Sequence, residues 1–259
     1  MSMERLRNII LEDKDILEVL NSSDDYHVLY HLSPMRENVV EWMEFKPDGE
    51  LLEIGAECGA LTGLFAQRVD KVVAIEWDKD MLEIAKLRHS TLDNVDFRYG
   101  DMDVIEASER FDHIVSIGTL LRDIPADDND RVVSCLKDIK FHLKDGGQFI
   151  CGVSNRYGLS SFNGFRTDGS KALSYGQLKD ALYKAGYSEV FYYYPMPNHI
   201  FAREIFSEDR LPGEGELRDT TADYIHDKYV MFSEENAFDE VCGSGDFPYF
   251  ANSFLIVAM

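Results

Sequence analysis

The residues best equipped for chemistry lie in a short glycine-bearing turn, Glu53-Ile54-Gly55-Ala56-Glu57-Cys58-Gly59, with an acid, Glu76, further along. Glycines let a backbone turn tightly and approach a ligand, and the first amides of a following helix are free to meet it. An acid at the tip of the second strand, about 20 residues on, is placed to accept hydrogen bonds from both ribose hydroxyls. Together these features point to a nucleoside ligand. The plainer reading of Glu76-Trp77-Asp78, a turn capping the next helix, stands beside it. A dinucleotide turn has the pattern G-x-G-x-x-G, so that pyrophosphate can sit on the helix end. Here the glycines are Gly55, Gly59 and Gly63, with Glu57 between the first two. A carboxylate repels pyrophosphate, so a cationic ligand suits the turn better than NAD.

The flanking sequence must position that turn. Leu51 to Ile54 reads as a strand, then Ala60 to Val69 as a helix, Lys71 to Glu76 as a strand and Lys79 to His89 as a helix. Strands follow at Val95 to Tyr99, Phe111 to Ile117 and Gln148 to Val153, with a helix at Arg131 to Leu143. This alternation predicts an α/β domain with a parallel sheet and helices on both faces. Ahead of it, Leu6 to Leu20 has helical spacing, and Ser33-Pro34 reads as a cap and first helical position. Val39, Val40, Trp42 and Met43 give that helix an apolar face. Residues 1–45 therefore read as a helical cover and 46–259 as the main domain. Asn155 to Ser170 reads as a loop, Ser174 to Ala185 as a helix, and Val190 to Tyr194 and Asn252 to Met259 as strands. The stretch 196–250 is too long for a hairpin turn and reads as an insertion on the substrate side.

Composition sets further expectations. The 259 residues include 26 Lys+Arg and 48 Asp+Glu, a net charge of −22. A surface that acidic repels phosphate backbones, so no nucleic-acid partner is expected. Cys58, Cys135, Cys151 and Cys242 lie far apart, with neither a zinc pattern nor a disulfide framework. No apolar run approaches the ~20 residues that span a bilayer. The charged start has no secretory core, so a cytoplasmic protein is expected.

Several blocks in order carry a resemblance. Leu51 to Thr62, Val73-Ala74-Ile75-Glu76, Tyr99-Gly100-Asp101, Phe111 to Val115 and Leu143-Lys144-Asp145-Gly146-Gly147 resemble the motif series of class I S-adenosylmethionine-dependent methyltransferases. The resemblance implies a Rossmann-like fold with a seven-stranded, mostly parallel sheet and an antiparallel last strand. It also implies S-adenosylmethionine as cofactor, Glu76 as the ribose acid and Asp101 as the partner of the adenine amino group. Glu53, Gly55, Ala56, Gly59, Trp77, Met102 and Gly118 are the further cofactor positions it implies. The blocks Tyr30 to Asn38, Asn155 to Leu159 and Phe247 to Ser253 are similar to bacterial methyltransferases encoded with, or fused to, glycosyltransferases of cell-surface polysaccharide synthesis. That similarity implies a small-molecule or glycan-linked acceptor and a glycosyltransferase partner. The rival readings are a non-catalytic scaffold subunit of such a system and an NAD-dependent oxidoreductase.

Within that frame, Glu57 departs from the usual middle glycine, and its carboxylate is expected to face the cofactor's cationic end. Arg36 is expected to meet the cofactor carboxylate. A sugar hydroxyl needs a base to take its proton, and His31 is the first candidate, with a structural cap as its plainer role. His199 is the second, with a surface loop as the alternative. Asn155, Arg156 and Tyr157 follow the fifth strand, where α/β sheets present their ligand crevice, and Arg156 suits an anionic group on the acceptor. His27 and His31 have metal-compatible spacing but no third ligand, so no metal is expected.

Overall fold

The computed structural model of the chain describes residues 3–120, 124, 128–163, 172–220 and 230–259. The chain divides into two compact units, Met1–Ser116 with His142–Gly147, and Ile117–Phe141 with Gln148–Met259.

The first unit opens with three short helices, α1 (Met3–Leu11), α2 (Ile16–Ser22) and α3 (Tyr26–Leu32). The single opening helix expected over Leu6 to Leu20 is broken where Asp13 takes a left-handed φ of 49° and Asp15 caps α2. Ser33 caps a short 3-10 turn over Pro34–Val39 rather than a full helix. Val39, Val40 and Met43 are buried there, but Trp42 is half exposed. The Rossmann-like part follows as β1 (Glu50–Ile54), α4 (Thr62–Arg68), β2 (Lys71–Glu76), α5 (Lys79–Arg88), β3 (Val95–Tyr99) and β4 (Phe111–Ile117). These strands lie in the order β3-β2-β1-β4. All three pairings are parallel, with Leu52 against both Val73 and Ile114. Continuous apolar runs such as Leu51-Leu52 and Val72-Val73-Ala74-Ile75 suit strands covered on both faces. Asp112 fastens β1 to β4 by accepting from Glu50 N and from the Lys46 and Lys144 ammonium groups.

In the second unit, α6 (Asn129–Phe141) precedes β5 (Leu143–Ser154), whose first residues belong to the first unit. Then come α7 (Leu159–Phe162), α8 (Tyr175–Ala185), β6 (Val190–Met196), β7 (Glu204–Ser207), α9 (Glu234–Ser244), α10 (Phe247–Phe250) and β8 (Ser253–Ala258). The order is β5-β8-β6-β7, and every pairing in it is antiparallel. β8 is buried along its whole length. Ser174 and Gln177 form a capping box on α8, and Gly186 ends it at a left-handed φ of 95°.

The structure corrects the expected strand number: eight strands are described, not seven. The extra one is β7, four residues from the 196–250 insertion that hydrogen-bond to β6. Its neighbour β6 continues to Met196, beyond the run read from sequence, and so offers an edge to pair with. Residues 164–170 of the expected loop and 221–229 of the insertion lie outside the described residues.

Candidate functional site

The turn after β1 is built on three left-handed residues, Gly55 (φ 75°), Glu57 (φ 50°) and Gly59 (φ 74°). Its first two amides, of Gly55 and Ala56, donate to the Ile75 carbonyl on β2, so the turn is tied to the strand that ends in Glu76. Glu76 is fully buried. One carboxylate oxygen accepts from Glu57 N at 2.8 Å and the other from Asp78 N at 2.8 Å. The acid therefore joins the β1 turn to the β2 turn while standing at the strand tip that nucleoside-binding sheets use.

Three carboxylates crowd this turn. Glu53, at the end of β1, accepts from Thr62 Oγ1 at 2.6 Å and is 4% exposed. Burial pushes its carboxyl up to about 8, with Glu57 and Glu76 adding to the rise and Thr62 and Arg36 opposing it. Glu57 accepts from the Tyr30 hydroxyl at 3.2 Å and lies 3.7 Å from an Arg36 Nη2. Arg36 is 2% exposed; its Nη1 donates to the Tyr30 carbonyl, and its guanidinium lies 4.2 Å over the Tyr30 ring. Burial works against its charge, and Tyr30 and Glu57 outweigh that, so its pKa rises. Arg36 Nε is buried with no hydrogen-bond partner among the described residues. A buried donor left over on a guanidinium calls for an acceptor such as a ligand carboxylate. The buried Glu57 and Glu76 carboxylates at this turn likewise favour a cation.

Other sequence-selected residues fall in varied settings. Ala56 is buried; Trp77 and Met102 are half-buried. Asp101 is exposed, and its carboxylate accepts from Met102 N at 2.8 Å, capping a 3-10 turn. His31 is 3% exposed, its ring edge-on to Tyr30 at 4.8 Å, and its carbonyl accepts from Arg88 Nη1 at 2.8 Å. Cys58 packs with Leu6, Val28, Leu32 and Ile84 in the N-terminal core, and burial pushes its thiol up to about 12.

The second unit holds the rest. Asn155 is fully buried, donating to the Tyr249 and Ala251 carbonyls and accepting from Tyr157 N, so it organises its own loop. Arg156 and Tyr157 are exposed. His199 is 5% exposed rather than on a surface loop. Its ring occupies the space beside two glycines: a Cβ at Gly152 would meet its Cδ2 at 3.2 Å and one at Gly118 its Nε2 at 3.4 Å.

Glu53 gives the first prediction. A carboxyl whose folded pKa lies above its unfolded value stabilises fully below the unfolded pKa, near 4.5, and that contribution fades as pH rises through about 8. Wild-type Tm is expected to fall between pH 6 and pH 8.5, and Glu53→Gln to flatten that fall. Equal slopes for the two proteins would place the Glu53 carboxyl in the ordinary range.

A parallel β3-β2-β1-β4 set, a left-handed turn after β1 and a buried acid ending β2 make up a Rossmann-like unit. Residues 51–147 match the family model described as a methyltransferase domain. That segment is an enzyme domain, and the cofactor of its class is S-adenosyl-L-methionine. A S-adenosylmethionine-dependent methyltransferase of Thermotoga maritima, described as a possible histamine N-methyltransferase, shares the fold with a TM-score of 0.54 and 18% identity, over 90% of this chain and 93% of that one. Phosphoethanolamine N-methyltransferase 1 of Haemonchus contortus, solved with phosphoethanolamine and S-adenosylhomocysteine, aligns with a TM-score of 0.58 and 10% identity, over 100% of this chain and 50% of that one. Among curated proteins, a probable ribosomal RNA small subunit methyltransferase A of Methanosarcina acetivorans is 33% identical over 92 residues, 36% of this chain. The chain spans about a third of that relative's length, 34%.

The last match corrects one expectation. Nucleic acid was excluded on net charge, yet the curated relative is named for an RNA substrate. Net charge is a property of the whole surface and carries no information about the local face a substrate meets.

Proposed function

We propose that the chain transfers the methyl group of S-adenosylmethionine to an acceptor nucleophile by in-line displacement. The observation carrying this reading is the buried Glu76 carboxylate at the tip of β2, bridging the amides of Glu57 and Asp78. The cofactor supplies a methyl group activated by a positively charged sulfur. In this reading Glu76 accepts from the ribose hydroxyls, with Trp77, Asp101 and Met102 on the adenine side. Gly55, Ala56 and Gly59 let the backbone come close. Arg36 donates to the cofactor carboxylate, while Glu57 supplies negative charge near the ammonium and Glu53 lies beside it as a neutral carboxyl below about pH 8. Residues 1–45 cover the turn, through Tyr30 and Arg36.

In this reading Arg156, Tyr157 and His199 recognise the acceptor, and Asn155 shapes the loop that carries the first two. Our reading of the acceptor is a hydroxyl on a sugar or glycan-linked molecule, with His31 taking its proton. An RNA acceptor is the second reading, favoured by the curated relative's name. Calorimetry with S-adenosylmethionine, S-adenosylhomocysteine and NAD tests the cofactor; binding of NAD alone would overturn the reading. Transfer of labelled methyl to nucleotide sugars, lipid-linked saccharides or small-subunit ribosomal RNA then separates the acceptors.

Arg156 is exposed and positively charged in an acidic protein, which suits a contact to the second substrate. Arg156→Ala is expected to lower methyl transfer while leaving S-adenosylmethionine affinity unchanged. Equal turnover by wild type and variant would remove Arg156 from the acceptor site.

A further inference from the structure

His89 ends α5 as its cap residue, 30 positions after Gly59 in sequence, yet its ring sits against the turn. Nε2 lies 2.7 Å from the Gly59 carbonyl oxygen, so this nitrogen carries the proton and donates it. A Cβ at Gly59 would meet His89 Cδ2 and Nε2 at 2.8 Å, and one at Gly63 would meet Cε1 at 2.9 Å. Gly59 also has a backbone reason to be glycine, its φ of 74°. Gly63 has none. It is the second residue of α4, where glycine still favours the helix less than alanine does. The space taken by the imidazole accounts for it.

The neighbouring residue works on the same stretch. Arg88 Nη1 donates to the His31 carbonyl at 2.8 Å and reaches the Cys58 carbonyl at 3.5 Å. The carbonyls of Cys58 and Gly59 are thus both met by side chains from the end of α5. In a trans peptide, fixing a carbonyl also fixes the following N–H on the opposite side, here that of Ala60. Burial lowers the imidazole's pKa, the Gly59 carbonyl opposes this, and Arg88 adds to the lowering.

We propose that His89 is a positioning residue for the cofactor turn, wedged against Gly59 and Gly63 and donating to the Gly59 carbonyl, so that its removal weakens binding of the adenosyl cofactor without touching it. The inference rests on the cofactor reading above. The test uses the full chain with S-adenosylhomocysteine as probe, measuring Kd by calorimetry and ligand-free Tm. His89→Ala should weaken binding about 10-fold, as expected for losing one oriented hydrogen bond near the ligand. His89→Gln, whose amide N–H can still donate, should recover most of that loss. Gly63→Ala should lower Tm in the wild-type background and raise it in the His89→Ala background, where the ring is gone and helix propensity alone acts.

Unchanged affinity in His89→Ala, beside normal binding by wild type, overturns the positioning role. The same Tm change from Gly63→Ala in both backgrounds overturns the wedge. No binding by wild type overturns the cofactor reading and this inference with it.

Discussion

Replacing Glu76 by alanine is expected to weaken S-adenosylmethionine binding at least about 10-fold and to destabilise the ligand-free protein as well. The first effect follows from losing hydrogen bonds between ribose and a charged group, about 1.5–3 kcal/mol. The second follows from the fold: the carboxylate also accepts from Glu57 N and Asp78 N, and its loss strands two amides at a fully buried position. Each stranded donor costs about 1–3 kcal/mol. Glu76→Gln separates the two roles. Its remaining carbonyl oxygen can serve one amide, so stability should recover in part, while its NH2 group faces a donor and keeps ligand affinity low. Calorimetric Kd values and thermal midpoints for wild type and both variants decide this. An unchanged Kd for Glu76→Ala removes the acid from the ribose site, whatever happens to stability.

The place of Glu76 at the end of β2 is legible in the sequence because its signal is local. A four-residue apolar run ends in an acid, and a glycine turn lies a fixed distance before it. Parallel pairing follows once helices alternate with such runs. The partners of Glu57 were not legible. Tyr30 donates to it from 27 positions away, and Arg36 reaches it from a 3-10 turn read in sequence as a longer helix. Sequence spacing cannot show which side chains a fold brings into one buried cluster. Gly63 illustrates the same limit: its glycine answers to a ring at the far end of α5. The strand β7 was missed for another reason. Glu204–Ser207 is too short to show alternation, and its pairing depends on an edge of β6 that only the folded sheet provides. A net-charge argument does not exclude an RNA acceptor, because it averages over a surface that a substrate samples locally.

The Arg36–Glu57 pair carries the second large expectation. Both side chains are buried, so removing one leaves the other's charge without its counterpart, at about 3–5 kcal/mol. Arg36→Met is therefore expected to lower stability by that order. Glu57→Gly should also destabilise, although less. It relieves a left-handed backbone at φ 50°, which costs about 1–2 kcal/mol for a residue with a side chain. Removing both charges together should restore much of the stability, because the double variant buries neither ion.

Ligand affinity should not follow stability. If the leftover Arg36 Nε donor serves the cofactor carboxylate, S-adenosylmethionine binds weakly to Arg36→Met and just as weakly to Arg36→Met/Glu57→Gly. Recovery of affinity along with stability in the double variant would mean that Arg36 only holds Glu57 and makes no contact with the ligand. Tighter binding by Glu57→Gly alone would give the opposite lesson about Glu57: its carboxylate, at the position where a glycine was expected, would then be obstructing the turn rather than completing it.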